Sequence, residues 1–393
     1  MRDVEVRRLL ALAAEDVRPS HPAATAWDRA RRVRRNRRAA GAAALAVVLL
    51  TGGIATALRP DGPVPAPPPP ATTPGVVNTP GAPVQEPPVD LPYGGDPLAR
   101  LAAPATTTLS KSPVRRALSL YQPIDSETYS GLDIRVLGDD GAVRTLDVVT
   151  PAPTRDRYGN QAPALKPGQL SPDGRTAVFP QTGELIVVDL TRPAVRRFPL
   201  DGYLELAVWA GDRVLVGGDD RTWSVDPVSG RATRTVGSLW DAVVPDPTRP
   251  GTTYTETVGL REALTVRTRA LADGSPQADQ LIGTTVLPRP YRVNEFYGRG
   301  WQRGDRIARA AWTTNPEIDG AEGVVVLDAR TGEVRYLLDL GRDGLSKNCC
   351  EVLGFDGEDV VLRLGAGVAR WRPATGEVSG VLPEVVGNVA LAG

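Results

Sequence analysis

From about residue 95 to the end, short apolar runs alternate with Gly- and Asp-rich turns, and this rhythm limits what the chain can fold into. LSPDGRTAVF and TGELIVVDLT fill Leu170–Thr191. LAVWAGDRVLVGG and RTWSVDPVSGRATR fill Leu206–Arg234. RIARAAW and GVVVLDARTGEVRYLL fill Arg306–Leu338, and CCEVLGFDGEDVVLRL and GVARWRPATGEVSGV fill Cys349–Val381. Less regular copies stand at Leu118–Val149 and Leu239–Ala270. Runs of four to eight residues rich in β-branched and other apolar side chains, bounded by Pro-Asp-Gly or Thr-Gly-Glu, read as strands joined by tight turns. Each copy makes a small twisted sheet with two apolar faces. Packing the copies radially buries both faces and leaves little edge exposed. The expected fold is mainly β, a β-propeller of six or seven blades over 95–393. A β-sandwich pair is the competing architecture.

LSPDGRTAVF resembles the blade signature of WD-repeat-like and TolB-like propellers, with Ser171, Pro172, Asp173, Gly174 and Arg175 matching the turn. The motif appears in full once. The Gly-His pair of true WD repeats is absent.

Upstream, AAGAAALAVVLLTGGIATAL, Ala39 to Leu58, has no charge. Twenty helical residues span about 30 Å, the thickness of a bilayer's hydrocarbon. Arg31–Arg38 holds six Arg before it. The positive-inside rule places residues 1–38 in the cytoplasm and the large domain outside the membrane. Ala55-Thr56-Ala57 also fits a signal-peptidase site, which leaves cleavage open. An n-region of 38 residues is long for a signal peptide and favours a retained anchor at the cell membrane. Residues 59–94 are expected to form an extracytoplasmic linker. Thirteen Pro between Pro60 and Pro92 predict an extended polyproline stalk.

In the tail, Val6, Leu9, Leu10, Ala13 and Val17 share one face of a helix. This stripe suits either a cytoplasmic partner or an anionic lipid surface. The pattern LLxLAAxxVRP, then ARRVRRxRR and an apolar span over residues 9–58, resembles N-termini of actinobacterial membrane proteins that accompany extracytoplasmic-function sigma factors. The resemblance implies a sigma-factor-like partner. The His/Cys cluster of zinc-type anti-sigma factors is missing.

Charge supports two compartments. Residues 1–38 carry eleven Arg and five acids, and the remainder carries 35 basic and 41 acidic residues. A basic head on an acidic body argues against nucleic-acid binding. The sole His, His21, lies in the tail, which removes Ser-His-Asp and Cys-His catalysis from the domain. No cofactor and no metal are expected. A carboxylate-based hydrolase or lyase stays open, because separations between acids are not legible in sequence.

Two stretches are candidate sites. Tyr291, Phe296, Tyr297, Arg299, Trp301 and Arg303 gather aromatics and Arg, the composition of recognition surfaces. Their other reading is packing of an ordinary outer strand. The adjacent Cys349 and Cys350 are the chain's only cysteines. Outside the cell they are expected to form a strained vicinal disulfide; two buried thiols are the alternative. The function expected is a membrane-anchored, non-enzymatic binding or scaffold module for a protein or cell-wall glycan. A sensor relaying binding to a cytoplasmic partner is the alternative.

Overall fold

The computed structural model describes residues 83–392 apart from 89, 126, 129, 219–220, 236–237, 247–252, 285 and 342–349. The tail stripe, the span Ala39–Leu58, most of the linker and Cys349 lie outside the described residues. No described helix is long and apolar enough to cross a membrane. Among the described residues the only helical pieces are two short 3-10 turns, Pro97–Arg100 and Arg261–Ala263. The rest is β-sheet and turn.

The fold is a β-propeller of five blades. Blade 1 contains Ala117–Pro123, Arg135–Gly138 and Val143–Thr145. Blade 2 contains Thr176–Gln181, Glu184–Asp189 and Ala194–Pro199. Blade 3 contains Leu206–Ala210, Arg213–Gly217, Thr222–Val225 and Ala232–Thr235. Blade 4 has the longest strands: Arg292–Arg303, Arg306–Thr314, Asp319–Asp328 and Val334–Asp339. Blade 5 contains Glu351–Asp356, Asp359–Leu364, Gly367–Arg372 and Glu377–Leu382. The last strand, Gly387–Leu391, returns to blade 1 and pairs antiparallel with Ala117–Pro123, closing the ring. Gly387 permits the closure, because a Cβ there would lie 2.3 Å from the Gln122 carbonyl oxygen.

Strand periodicity explains why the runs are apolar throughout. Side chains alternate between faces, and in a propeller both faces meet a neighbour. Ala177, Phe179, Ile186 and Val188 of blade 2 share a core with Leu120 and Ile134 of blade 1. The intervening Val178, Leu185 and Val187 share one with Trp209 and Val214 of blade 3. In blade 5, Val352, Val360 and Leu362 face blade 4, while Leu353 and Val361 face Leu137 and Tyr121 of blade 1. Full burial contributes about 1.5–3 kcal/mol per large apolar side chain.

The expected count of six or seven blades is corrected by the segment 239–281. Its apolar pair Val243–Val244 runs parallel to blade 4, pairing with Gly300 and Trp301. The strands that follow, Thr253–Val258, Thr265–Ala270 and Pro276–Leu281, form a three-stranded meander, joined to that pair by a single bridge, Ala242–Glu256. Leu264 and Val266 of the meander pack with Val293, Phe296, Ile307 and Ala311 of blade 4. Its outer strand is exposed along its whole length. The copy has given up its inner strand and become a layer on its neighbour.

The SPDG turn links blades 1 and 2. Ser171 Oγ accepts from the amides of Arg175 and Thr176, at 3.1 and 2.9 Å. Gly174, at φ +69°, passes its carbonyl to the Ala117 amide at 2.8 Å.

The domain also begins earlier than residue 95. Val84–Gln85 adds a parallel strand to the outer edge of blade 4, opposite Leu337 and Leu338. Gln85 Oε1 accepts from the buried indole of Trp371 at 2.7 Å, and Gln85 Nε2 donates to the Pro373 carbonyl at 2.8 Å. The Pro92 carbonyl accepts from Gly380 at 2.8 Å. Asp96 caps the turn Pro97–Arg100 and pairs with Arg370. Residues 83–96 therefore form a strap fastened to blades 4 and 5. Proline there removes donors but leaves carbonyls to accept, which an edge position tolerates.

Candidate functional site

Two openings on the described surface bear on function. The first is the mouth of the propeller axis, to which every blade contributes. Leu391 comes from blade 1, Leu170 from the start of blade 2, Trp209 from blade 3, Trp301 with Val244 from blade 4, and Phe355 from blade 5. The mouth encloses about 360 Å³ of empty space, part of it open to solvent. It is largely filled by apolar side chains. Both indoles spend their N–H inward, Trp209 on the Gln169 carbonyl at 3.3 Å and Trp301 on the Val352 carbonyl at 2.8 Å. The polar groups at the mouth are already engaged. Asp246 Oδ2 accepts from the Gly304 amide at 2.6 Å, and its other oxygen lies 3.6 Å from Arg303 Nη1. Gln302 donates to the Gly304 carbonyl at 3.1 Å. Arg306 pairs with Glu358 at 2.5 Å, its guanidinium 5.9 Å from the Phe355 ring centre. Among the described residues no cluster of three His, Cys, Asp or Glu side chains is placed to hold a metal ion.

The second opening lies at the outer end of blade 4, where it meets the meander. Arg261, Arg289, Pro290, Tyr291, Arg292, Asn294, Thr314 and Asp319 line a cleft of about 980 Å³, open to solvent. Arg261 stands on the meander's short 3-10 turn, at φ +49°. Arg289, Arg292 and Tyr291 stand at the entry to blade 4. All three arginines are exposed. None takes part in an ion pair among the described residues. The same cleft holds a hydrogen-bonded polar group. Asp319 Oδ1 accepts from Thr314 Oγ1 at 2.7 Å and from Asn294 Nδ2 at 3.3 Å. Burial pushes the Tyr291 phenol up, and the charges of Asp339, Glu86 and Glu317 push it further. The phenol stays a donor at neutral pH.

The structure separates the six residues that sequence grouped. Tyr291 belongs to the outer cleft; Trp301 and Arg303 belong to the axial mouth. Phe296 is 2% exposed and sits in the core between blade 4 and the meander. Arg299 is buried and donates to the Leu239 carbonyl at 3.0 Å. Tyr297 packs its ring 5.5 Å from Trp312, its hydroxyl 3.2 Å from Cys350 Sγ. A strand of twelve residues with two breaks in its register sends these side chains to different faces, so they cannot form one recognition surface. Cys350 is disulfide-bonded and buried among blade residues; Cys349 lies outside the described residues. Sequence reasoning missed Arg261 and Arg289. Arg289 stands two residues before the aromatic stretch, in the run LPRPYR, but nothing local joins it to Arg261.

No family model matches the chain, and no curated protein sequence does. Similar solved structures exist at the level of the fold. TolB from Acinetobacter baumannii is 14% identical, with a TM-score of 0.44 over 70% of this chain and 66% of that one. BamB from Moraxella catarrhalis is 14% identical, with a TM-score of 0.34 over 65% of this chain and 73% of that one. The dihydro-heme d1 dehydrogenase NirN is 13% identical, with a TM-score of 0.36 over 65% and 54%. The likeness is propeller architecture alone. One of the three is an enzyme by name, and a fold shared this distantly carries no activity with it.

Proposed function

We propose that this chain is a non-enzymatic binding module of the cell envelope, a five-bladed propeller held outside a membrane on a Pro-rich stalk. The observation that supports it best is the strap. The stalk does not end in a loose junction: its last residues are hydrogen-bonded into two blades through Val84–Gln85, Pro92 and Asp96. A propeller fastened to its leader in this way takes load on blade edges rather than at a fraying terminus. The charge-free run Ala39–Leu58 behind six Arg supplies the anchor and its orientation. The openings suit binding rather than chemistry. The axial mouth is packed with apolar side chains, and the outer cleft presents three arginines and a single carboxylate, Asp319, rather than a carboxylate pair. The partner outside is a protein or a glycan.

The test is topology. The full chain is produced in bacteria, membranes are washed with alkaline carbonate, and intact spheroplasts are treated with protease. The expected result is a chain that stays with the membrane and loses its propeller to external protease. A propeller that is soluble and protected inside spheroplasts overturns the reading. Release of a domain beginning after Ala57 overturns the anchor and leaves the export.

A further inference from the structure

We propose that the outer cleft of blade 4 binds an acidic saccharide, a chain of sugar units bearing carboxylate or phosphate groups. This deepens the binding-module reading and rests on it for the ligand's location. Three observations lead to it. First, Arg261, Arg289 and Arg292 converge on one cleft from segments about thirty residues apart and, among the described residues, are unspent on ion pairs. A guanidinium offers a fixed fork of donors that matches carboxylate and phosphate oxygens. Like charges that line one cleft repel one another unless an anion comes between them.

Second, the cleft is not uniformly basic. Asp319 lines the same cleft as the arginines, with Asn294 and Thr314 beside it. An acidic peptide sets its carboxylates against Asp319 and carries no hydroxyl groups between them. A saccharide spaces its acids apart and puts hydroxyl groups between them. Asp319 and Asn294 can take those hydroxyls as acceptors. Third, Tyr291 presents a half-buried ring and a protonated hydroxyl at the cleft wall. Such a ring packs against the C–H face of a sugar while its O–H stays wet. About 540 Å³ of the cleft is accessible to water-sized molecules, which falls within the range of small-molecule sites and leaves room for more than one sugar unit.

The experiment titrates the full chain with four probes: polyglucuronate, a phosphomannan, polyglutamate and neutral dextran. Binding of polyglucuronate or of the phosphomannan, weakening as salt rises, is expected, and the tighter of the two identifies the acid. Each of Arg261→Asn, Arg289→Ala and Arg292→Ala is expected to weaken it about tenfold, the loss of one charge-assisted contact. Asn is chosen at 261 because it tolerates the left-handed backbone there. All three side chains are exposed, so an unchanged thermal melt checks that folding is intact. Polyglutamate binding as tight as the acidic glycans overturns the saccharide assignment. Binding that survives the triple replacement, or no binding to any acidic probe, overturns the site. Because the titration is done in solution, a propeller that binds the glycan but is not exported would keep the cleft and lose the envelope.

Discussion

Replacing Arg309 by Met removes the guanidinium on which blade 4, the meander and the loop before it converge. Arg309 is 1% exposed. Its Nη1 donates to the Thr257 carbonyl at 3.1 Å, to the Thr257 hydroxyl, and to the Asp241 carbonyl at 3.3 Å. Its Nη2 donates to the Gly298 carbonyl at 3.1 Å and to the Trp240 carbonyl at 3.4 Å. The Phe296 ring lies 5.8 Å beneath. Methionine refills most of the stem volume but donates nothing. The two carbonyls at 3.1 Å then lose a charged donor in a buried setting, at about 1–2 kcal/mol each. The two longer contacts count for less, and the guanidinium's desolvation cost is recovered. The net is about 3 kcal/mol of lost stability. For a domain of about 310 residues, an unfolding entropy of about 2.1 cal/mol/K per residue gives about 0.65 kcal/mol per kelvin. The melting temperature should therefore fall by about 5 °C. Arg309→Lys keeps the charge but cannot fork to both sides, so it should fall between Met and the parent. Amide exchange should quicken at Thr253–Val258 and around Gly298, the segments the guanidinium joins, more than in blades 1 and 2. A drop under about 1.5 °C for Met, or loosening spread evenly round the ring, would refute the view that this arginine pins the meander.

Three further perturbations test other parts of the fold. Gly174→Ala puts a Cβ 2.1 Å from the Ala117 carbonyl oxygen at φ +69°, so a loss of about 3 kcal/mol in denaturant melts is expected; a neutral result would mean that the SPDG turn does not bear on blade 1. Gln85→Ala strands the indole N–H of Trp371, itself fully buried, and should cost about 1–2 kcal/mol; limited proteolysis should then cut faster within 83–96 and nowhere else. The Arg144 guanidinium, bonded to Asp140, holds that carboxyl down to about 2, with the Ala142 amide helping. The folded value lies below the unfolded one, so the stability this pair adds is present above about pH 4 and is lost as pH falls from there towards 2. Asp140 is 53% exposed, which keeps the effect under about 1 kcal/mol. The difference in melting temperature between Asp140→Asn and the parent should shrink from pH 5 to pH 2; a constant difference would refute the linkage.

Much of the fold is legible in the sequence because its signals are local. The run AVFPQ ahead of GELIVVDL announces two strands by its residue types, and the Gly between them announces the turn. That both faces of each strand are apolar announces neighbours on both sides. Blade 1 was weakly marked, yet GLDIRVLGDDGAVRTLDV holds two of its strands. The site was far less legible. Aromatics and arginines between Tyr291 and Arg303 looked like a surface because composition carries no facing. Phe296, Arg299 and Trp301 went inward once register breaks fixed their directions, and Arg261 joined Arg289 only through the docking of the meander.

By itself the sequence determined the class of the fold, the positions of most strands and turns, and a charge-free run long enough for a bilayer behind a basic tail. These depend on period, residue type and charge within a few residues of one another. Only the tertiary structure decided how many blades close the ring, where the strap lies and which arginines meet. Each of those depends on which partner a strand edge chooses. Val243–Val244 fits the inner strand of a sixth blade by pattern, and it pairs with Gly300 and Trp301 instead. Backbone hydrogen bonds are the same for every residue, so the choice between edges rests on packing energies distant in sequence.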